Sequence, residues 1–259
     1  MRTIVVTGSA SGMGAATKER LESAGDRVIG VDVKDADVVA DLGTTEGRAA
    51  AITAVTERSG GIVDGVVTWA GLAGLTHRPG SLLVSVNYFG TIVLLEGLRP
   101  LLARGSSPAA VAISSNSTTI QPNVPLAITD TCLTGDEAAA RAAGDDAGSL
   151  SVYPATKLAV ARWVRRNAPA WAEEGITLNA VAPGAVETPM LEQSRRDETI
   201  GSTVDTLPIP MGRPAAPDQL AAFVQFLLGP EARNFCGSVV FVDGGTDALL
   251  RPDDAPVPM

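Results

Sequence analysis

Short apolar runs rich in β-branched residues alternate with longer alanine-rich segments along most of the chain. Runs of this length are typical of strands buried on both faces, and the longer segments have the length of helices. The predicted strands lie at 3–8, 27–33, 37–42, 62–71, 109–115, 176–184 and 238–245, and the predicted helices lie near 13–25, 45–58, 80–103, 152–173 and 217–229. This order predicts an α/β fold, a single-domain Rossmann-type doubly wound parallel sheet flanked by helices.

A long segment at 116–150 interrupts this alternation before the fourth predicted helix. It ends in an alanine-rich stretch that has room for one extra short helix. Thr134 is a plausible cap of that helix, with Asp136 and Glu137 in its first turn, where acidic side chains are favoured.

A second long segment, 185–216, is polar and rich in proline. Long segments of this kind in a compact domain tend to be lids or binding loops. We therefore expect one domain over 1–259 that contains the insertion 116–150 and a substrate loop at 185–216. The tail, 251–259, is expected to be extended.

Composition and charge narrow the classes of partner. The chain has 259 residues, 45% of them hydrophobic, and a formal net charge of −9. Such a charge disfavours a surface that neutralises nucleic-acid phosphates or anionic lipids, so we expect a small-molecule partner, with no nucleic acid and no membrane. Cys132 and Cys236 form no CxxC or His/Cys cluster, and His77 lies in a loop-like stretch, so no metal site is expected.

The N-terminus runs directly into an apolar strand pattern and lacks the features of a signal peptide. We also find no stretch that reaches the roughly 18 apolar residues of a membrane-spanning helix. These observations predict a cytoplasmic protein.

A glycine-rich turn follows the first predicted strand. In TGSASGMG, residues 7–14, Gly8, Gly12 and Gly14 are spaced so that backbone amides can approach a pyrophosphate at the start of a helix. A strand before the turn and a helix after it are the context that a dinucleotide site requires. We expect Ser11 and Met13 of the same turn to contact the cofactor as well.

Asp32 ends the second predicted strand, 18 residues beyond Gly14. A carboxylate near this spacing accepts hydrogen bonds from the adenosine ribose hydroxyls and repels a 2′-phosphate. Residues 9–11 and Val33 offer no basic group for such a phosphate, although Lys34 lies close by. The pattern favours NAD over NADP, and the alternative is that Asp32 is only a solvated turn residue.

Several further motifs occur in chain order. They are ADL at 40–42, AG at 70–71, VNYFG at 86–90, ISS at 113–115, YxxxK at 153–157 and NAVAPGAVETPM at 179–190. With these motifs, and with the turn and the acid described above, the chain resembles the short-chain dehydrogenase/reductase family from Thr3 to about Gly245. Within that family, SVNYFG, PAAVAISS and DGGTDALLRP are most similar to the bacterial 3α-hydroxysteroid dehydrogenase/carbonyl reductase group.

The chain departs from the family pattern in two places. TWAG stands where the family often has NNAG, and we interpret Trp69 as a core residue rather than a platform for a ligand. Ser115 and Tyr153 are 38 positions apart, farther than in compact members of the family. In the family, this region flanks the active site and lies near a subunit interface. The resemblance therefore implies that 116–150 reshapes the substrate mouth, the oligomer, or both.

Tyr153 and Lys157 are one helical turn apart. A phenol has a pKa of about 10, and a neighbouring ammonium group favours the phenolate, so the pair is suited to general acid–base catalysis. Pro154 is compatible with a position in the first turn of the helix, where its missing N–H costs no hydrogen bond.

The resemblance implies a role for each residue of this group. Lys157 would also bind the nicotinamide ribose, and Ser115 would bind the substrate oxygen beside Tyr153, with Ser114 as the competing serine. Asn87 would hold a water that links Lys157 to solvent, unless it is only a polar contact inside a helix. Further cofactor contacts are implied at Asp41, Leu42, Ala70, Gly71, Pro183, Gly184, Val186 and Thr188.

The implied activity is NAD-dependent interconversion of a secondary alcohol and a ketone, on a 3α-hydroxysteroid or similar apolar carbonyl compound. An aromatic or terpenoid alcohol is the alternative substrate, and a non-catalytic NAD-binding sensor or scaffold is the alternative from another class. The family implies a homodimer or homotetramer. Apolar side chains expected at the substrate mouth are Pro122, Val124, Pro125, Leu126, Met190, Leu191, Leu207 and Ile209.

Overall fold

Seven parallel strands form one sheet in the order β3-β2-β1-β4-β5-β6-β7. The structure is a computed structural model that describes residues 1–254, so 255–259 of the predicted tail lie outside the described residues. The strands are β1 Thr3–Thr7, β2 Arg27–Asp32, β3 Val38–Val39, β4 Gly65–Thr68, β5 Ala109–Ile113, β6 Thr177–Pro183 and β7 Val239–Val242. Every predicted strand region contains one of them, and the predicted doubly wound parallel sheet is confirmed.

Helices cover both faces of the sheet. They are α1 Gly12–Ser23, α2 Thr45–Ser59, α3 Gly80–Leu83, α4 Gly90–Leu102, α5 Ser117–Ile120, α6 Leu126–Thr134, α7 Glu137–Ala147, α8 Ser149–Glu173, α9 Pro189–Arg195, α10 Gly201–Val204, α11 Pro217–Leu227 and α12 Thr246–Leu250, with a π-helical turn at Val84–Phe89 and a 3₁₀ turn at Pro230–Ala232. On one face, α2, α4 and α8 pack on Val5, Val66 and Ala110. On the other, α1 and α11 pack on Val6 and Val67.

The central strands are buried on both sides. All residues of β4, β5 and β6 are buried, so these strands show no alternation of apolar and polar side chains. Strand β3 is only two residues long, although the apolar pattern extends over 37–42, because Asp41 accepts a hydrogen bond from the N–H of Gly43 (2.9 Å) and begins the turn into α2. The sheet therefore holds its functional loops on a rigid, fully buried centre.

The predicted helix at 80–103 is continuous from Gly80 to Leu102, with the π-helical turn in its middle. An 18-residue window of this helix has a mean hydropathy of 1.5, so the expectation that no stretch would be apolar enough for a membrane span is wrong here. The explanation is burial, since 72% of that window lies inside the protein. It is a core helix that packs against β4, β5 and α8.

The insertion contains three helices instead of one. Gly135, at φ +83°, ends α6, and a new helix begins at once. The predicted cap, Thr134, is wrong because this residue ends α6. Asp136 caps α7 instead, and its carboxylate accepts a hydrogen bond from the N–H of Ala139 (3.0 Å). Glu137 lies in the first turn, as predicted.

Helix α7 is joined to the rest of the protein by a buried ion pair. Arg48 of α2 is only 3% exposed, and its Nη2 lies 2.5 Å from the carboxylate of Glu137. Arg48 also donates to the carbonyl of Leu42 (3.3 Å). Ser85 of the π-helical turn donates to Glu137 (2.9 Å). Because the arginine charge has both a carboxylate and a carbonyl partner, it is compensated inside the protein.

Helix α8 begins at Ser149 and not near 152. Pro154 therefore lies in the second turn of the helix, and its predicted position in the first turn is wrong. A proline here removes the N–H that would donate to the carbonyl four residues earlier, which belongs to Leu150.

Candidate active site

The turn after β1 is a tight backbone cradle. Gly8 has φ +65°, and a Cβ placed there would lie 2.8 Å from the backbone nitrogen of Ala70. A Cβ on Gly14 would lie 2.0 Å from the carbonyl oxygen of Gly8. Helix α1 begins at Gly12, and its N-cap residue, Ser11, makes no side-chain cap. The first-turn amides are therefore left available to an anion, with the positive end of the helix dipole behind them.

A first cavity of about 310 Å³ lies over this cradle. It is bordered by the ends of β2 and β4, by the segment before α2 and by α9. No basic side chain lines it among the described residues. The predicted cofactor residues that border it are Gly8, Ser11, Gly12, Met13, Gly14, Asp32, Asp41, Leu42, Ala70, Gly71 and Thr188.

Asp32 stands at the rim of the first cavity with its carboxylate held by the backbone. One oxygen accepts from the N–H of Ala10 (3.0 Å) and the other from the N–H of Val33 (2.7 Å). Lys34 is exposed and does not line the cavity. The amides at the start of α1 fit a diphosphate, and the carboxylate of Asp32 fits a ribose diol. Because no basic side chain lines the cavity among the described residues, the site offers no partner to a 2′-phosphate.

A second cavity, of about 450 Å³, opens from the first. Met13, Trp69, Gly71, Thr188 and Met190 border both cavities, so one continuous groove crosses the carboxyl edge of the sheet. Sites in open α/β sheets form at this edge. The second cavity is also bordered by the predicted residues Ser115, Tyr153, Lys157, Pro183, Gly184 and Val186.

Four of the apolar residues predicted at the substrate mouth line the second cavity: Pro122, Met190, Leu191 and Leu207. The other four do not. Val124 packs against the core, Leu126 is exposed on α6, Pro125 precedes that helix, and Ile209 lies against Gly244. The prediction was wrong for Val124, Pro125 and Leu126 because the chain leaves the cavity at the start of α6, and for Ile209 because its side chain lies against Gly244.

Tyr153 is half-buried and borders the second cavity. Burial raises the pKa of its phenol, and a hydrogen bond with Ser115 lowers it. The competing serine, Ser114, has a different partner, since its hydroxyl donates to the carbonyl of Lys157 (2.9 Å). The structure therefore brings Ser115, and not Ser114, to the tyrosine.

Lys157 is buried, and burial lowers the pKa of its ammonium group to about 8. Its Nζ donates to the carbonyl of Ile113 at the end of β5 (3.1 Å). A Cβ on Gly71 would lie 3.4 Å from this Nζ, so a larger residue at position 71 would crowd the ammonium group. Lys157 is thus held away from water, while Tyr153 remains partly exposed to the cavity.

Among the predicted site residues, Asn87 alone borders neither cavity. It lies fully buried in the π-helical turn, behind Gly71. Its side-chain oxygen accepts from the N–H of Leu72 (2.7 Å), and its nitrogen donates to the carbonyl of Leu72 (3.0 Å). The polar contact inside a helix, raised as the alternative for Asn87, is therefore present, and the water relay stays a prediction.

The segment 185–216 folds over the second cavity through α9 and α10. Thr188 caps α9, accepting a hydrogen bond from the N–H of Leu191 (3.3 Å). Beyond the helix, the carboxylate of Asp197 accepts from both the N–H and the hydroxyl of Thr76 (2.7 Å each). These bonds lower the pKa of Asp197 to about 2 and join the segment to the loop that follows β4.

Some cavity residues had no signal in the sequence. Val31 and Leu82 border the first cavity but resemble ordinary core positions. Gln121 borders the second cavity at the start of the insertion. Its contact could have been predicted only from the start of α8 at Ser149. With that start, Pro154 lies in the second turn, and the carbonyl of Leu150 loses the donor that residue 154 would otherwise supply.

The sequence and the fold are similar to those of known oxidoreductases. A family profile described as enoyl-(acyl carrier protein) reductase matches residues 136–247. The chain is 42% identical to a 3-alpha-hydroxysteroid dehydrogenase/carbonyl reductase of Comamonas testosteroni, over 97% of this chain and 99% of that protein. It is 30% identical to a coniferyl-alcohol dehydrogenase of a Pseudomonas species, over 94% of this chain and 96% of that protein.

A solved structure has nearly the same fold. It is the 3-alpha-hydroxysteroid dehydrogenase of Pseudomonas sp. B-0831 complexed with NADH, which matches with a TM-score of 0.94. The sequence identity is 46%, and the match covers 97% of this chain and 99% of that chain.

Replacing Lys157 by methionine should change the dependence of stability on pH. The folded pKa of about 8 lies below the value of about 10.4 for an unfolded lysine, so the folded state releases this proton first as the pH rises. The stability of the wild type relative to Lys157→Met should therefore rise by about 2 kcal/mol between about pH 7 and pH 10, and stay level at lower pH.

Urea unfolding of both proteins across this range measures the difference. Other groups with raised pKa values, such as Tyr88 and Cys132, are common to both proteins and cancel in it. A difference that stays level from pH 7 to pH 10 would show that burial does not lower the pKa of Lys157.

Proposed function

The chain belongs to the short-chain dehydrogenase/reductase family, and from this premise we propose that it interconverts a 3α-hydroxysteroid, or a similar apolar secondary alcohol, and the corresponding ketone with NAD. The enzyme class and the cofactor follow from the family and from the relatives described above. The observation that supports the reaction is that Ser115, Tyr153 and Lys157 border one cavity, which is continuous with the cavity over the backbone cradle after β1.

The first cavity fits the adenosine diphosphate half of the cofactor. Backbone amides at the start of α1 would hold the diphosphate, and Asp32 would accept hydrogen bonds from the ribose. The residues assigned to the nicotinamide half are Pro183, Gly184, Val186 and Thr188, which border the second cavity. When bound, the cofactor accepts or supplies the hydride.

In this proposal, Tyr153 handles the proton. It takes the substrate hydroxyl proton in oxidation and returns it in reduction. Burial keeps the phenol protonated in the absence of other charges, which suits donation to a carbonyl. The hydrogen bond with Ser115 favours the phenolate that oxidation requires, and a positive charge on Lys157, one helical turn away, would favour it as well. Ser115 would also hold the substrate oxygen beside Tyr153, and Asn87 would support a proton relay through a water.

The second cavity supports an uncharged, apolar substrate. Apart from Lys157, no charged side chain lines it among the described residues, and Leu150, Met190, Leu191 and Leu207 supply apolar surface. Similarity to a 3-alpha-hydroxysteroid dehydrogenase/carbonyl reductase favours a steroid. An aromatic or terpenoid alcohol is the second candidate, and similarity to a coniferyl-alcohol dehydrogenase favours it.

We assign the chain, 1–259, to one NAD-binding domain in which 116–150 is an insertion and 185–216 is the substrate loop. The contact between Thr76 and Asp197 supports the loop assignment because it holds the segment against the loop that follows β4. We also infer a cytoplasmic protein, since its two cysteines are both unpaired and disulfides are rare in that compartment.

A homo-oligomer, dimer or tetramer, is the proposed assembly. Strand β7 ends the sheet, and all four of its residues are only half-buried. Near it, Phe235 and Phe226 are exposed, with ring centroids 5.6 Å apart. An unpaired edge beside exposed aromatic rings favours a surface that a second copy covers.

A screen that follows NADH absorbance tests the function. We expect turnover of 3-oxo and 3α-hydroxy steroids above that of small aromatic alcohols, because the cavity is large and apolar. Tyr153→Phe should still bind NADH, with a kcat at least about a hundredfold lower, since removal of a general acid–base group costs that much. A wild type that acts on no alcohol or ketone would contradict the proposal, and the reverse order of substrates would favour the aromatic class.

Asp32→Asn should weaken the preference for NAD. Removing the charge takes away one charge-assisted hydrogen bond and the repulsion of a 2′-phosphate, so the ratio of kcat/KM for NAD to that for NADP should fall about tenfold or more. Lys34→Met is the matched control, because Lys34 is nearby but outside the cavity, and its ratio should stay within about twofold of the wild type. An unchanged ratio in Asp32→Asn would contradict the role of this carboxylate.

Sedimentation velocity tests the assembly. The wild type should sediment as a dimer or tetramer, and the double variant Phe226→Ser/Phe235→Ser should shift towards the monomer, because the apolar contact is lost. Leu126→Ser is the control, since Leu126 is exposed on α6 in the insertion, and it should leave the distribution unchanged. A monomeric wild type contradicts the homo-oligomer, and an oligomeric double variant contradicts this surface.

A further inference from the structure

Pro154 creates a gap in the hydrogen bonding of α8 directly beside Tyr153. In a regular helix, the N–H of residue 154 donates to the carbonyl of residue 150. Proline has no N–H, so the carbonyl of Leu150 loses the donor four residues later that a regular helix supplies. Leu150 borders the second cavity and is half-buried. A carbonyl in such a position needs a partner from elsewhere in the protein.

Gln121 supplies that partner. Its Nε2 donates to the carbonyl of Leu150 at 3.1 Å, across 29 positions of the sequence. Residues 121 and 150 stand near the two ends of the insertion, so the contact closes its base. Both residues border the second cavity.

A short chain of hydrogen bonds leads from Gln121 back to Ser115. The N–H of Gln121 donates to the carbonyl of Ser117 (3.2 Å), at the start of α5. The N–H of Ser117 in turn donates to the hydroxyl oxygen of Ser115 (3.2 Å). The same glutamine is therefore tied on one side to the serine and on the other to the helical turn that holds Tyr153.

We propose that Gln121 is a positioning residue that fixes Tyr153 relative to Ser115 by replacing the hydrogen bond that Pro154 removes. The inference rests on the proposed function, in which Ser115 and Tyr153 share the substrate oxygen. Without the Gln121 side chain, the first turn of α8 has lost a donor at Leu150 and is free to shift against α5. Small displacements between reacting groups reduce turnover more than they reduce binding.

The test is a double-mutant cycle in which the proline is the matched partner. Gln121→Met removes the donor and keeps a side chain of similar length. Pro154→Ala restores the backbone N–H, so that the helix itself can satisfy Leu150 and Gln121 becomes dispensable. The four proteins are the wild type, the two single variants and the double variant, each measured in kcat, KM, the Kd of NADH and urea unfolding.

We expect Gln121→Met to lower kcat about tenfold in the Pro154 background, with KM and the Kd of NADH within about twofold, since a small displacement of Tyr153 from Ser115 slows the reaction more than it weakens binding. In the Pro154→Ala background, the same substitution should change kcat by less than about twofold. The basic limb of the pH profile of kcat/KM, which reports Tyr153, should shift in Gln121→Met and return in the double variant.

Each outcome bears on the proposal. Rescue of kcat by Pro154→Ala supports it, because a role in packing alone gives equal losses in both backgrounds. If Gln121→Met lowers kcat equally in the Pro154 and Pro154→Ala backgrounds, the positioning role is overturned, whether or not the two substitutions are coupled in urea unfolding. A wild type without activity on alcohols and ketones overturns the proposed function and this role with it. A coupling in unfolding would in that case show that the contact exists without serving that chemistry.

Discussion

Lys157 fixes α8 against the end of β5 through both its side chain and its backbone. Its ammonium group donates to the carbonyl of Ile113, and its own carbonyl accepts from the hydroxyl of Ser114. Because these two hydrogen bonds run in opposite directions between Lys157 and the end of β5, α8 has little freedom to slide along the strand. Ser115, the residue after Ser114, and Tyr153, one turn earlier on the helix, are therefore brought together by the same contact.

The burial of this lysine requires small neighbours and a shaped helix behind it. Gly71 leaves the space that the ammonium group occupies, and Asn87 holds the backbone beyond Gly71 through Leu72. Asn87 lies in a π-helical turn, where the wider helix changes which residues face the core. The core helix Gly80–Leu102 therefore supports, through Asn87, the backbone that lies beside the ammonium group of Lys157.

The seven strands and the meeting of Ser115, Tyr153 and Lys157 in one cavity could be predicted from the sequence, each for a definite physical reason. Buried parallel strands are unbroken apolar runs, and Tyr153, Lys157 and the glycine cradle are short-range patterns that keep their spacing in any context. The insertion could not be predicted in this way. Its helices depend on left-handed glycines such as Gly135 and on the contact of Arg48 with Glu137, a partner 89 positions away. The start of α8 was missed for the same reason, and with it the consequence of Pro154.

The insertion reaches the site from two sides. Glu137 of α7 accepts a hydrogen bond from Ser85, which lies in the same π-helical turn as Asn87. Gln121, at the base of the insertion, donates to Leu150 in the first turn of α8. One contact supports the residue behind Lys157, and the other supports the helix beside Tyr153. Helices α6 and α7, which lie between these contacts, pack on α8 and α3 and do not line the second cavity, whereas Pro122 and Leu150, near the two ends of the insertion, do. The insertion therefore reaches the groove only through its two ends.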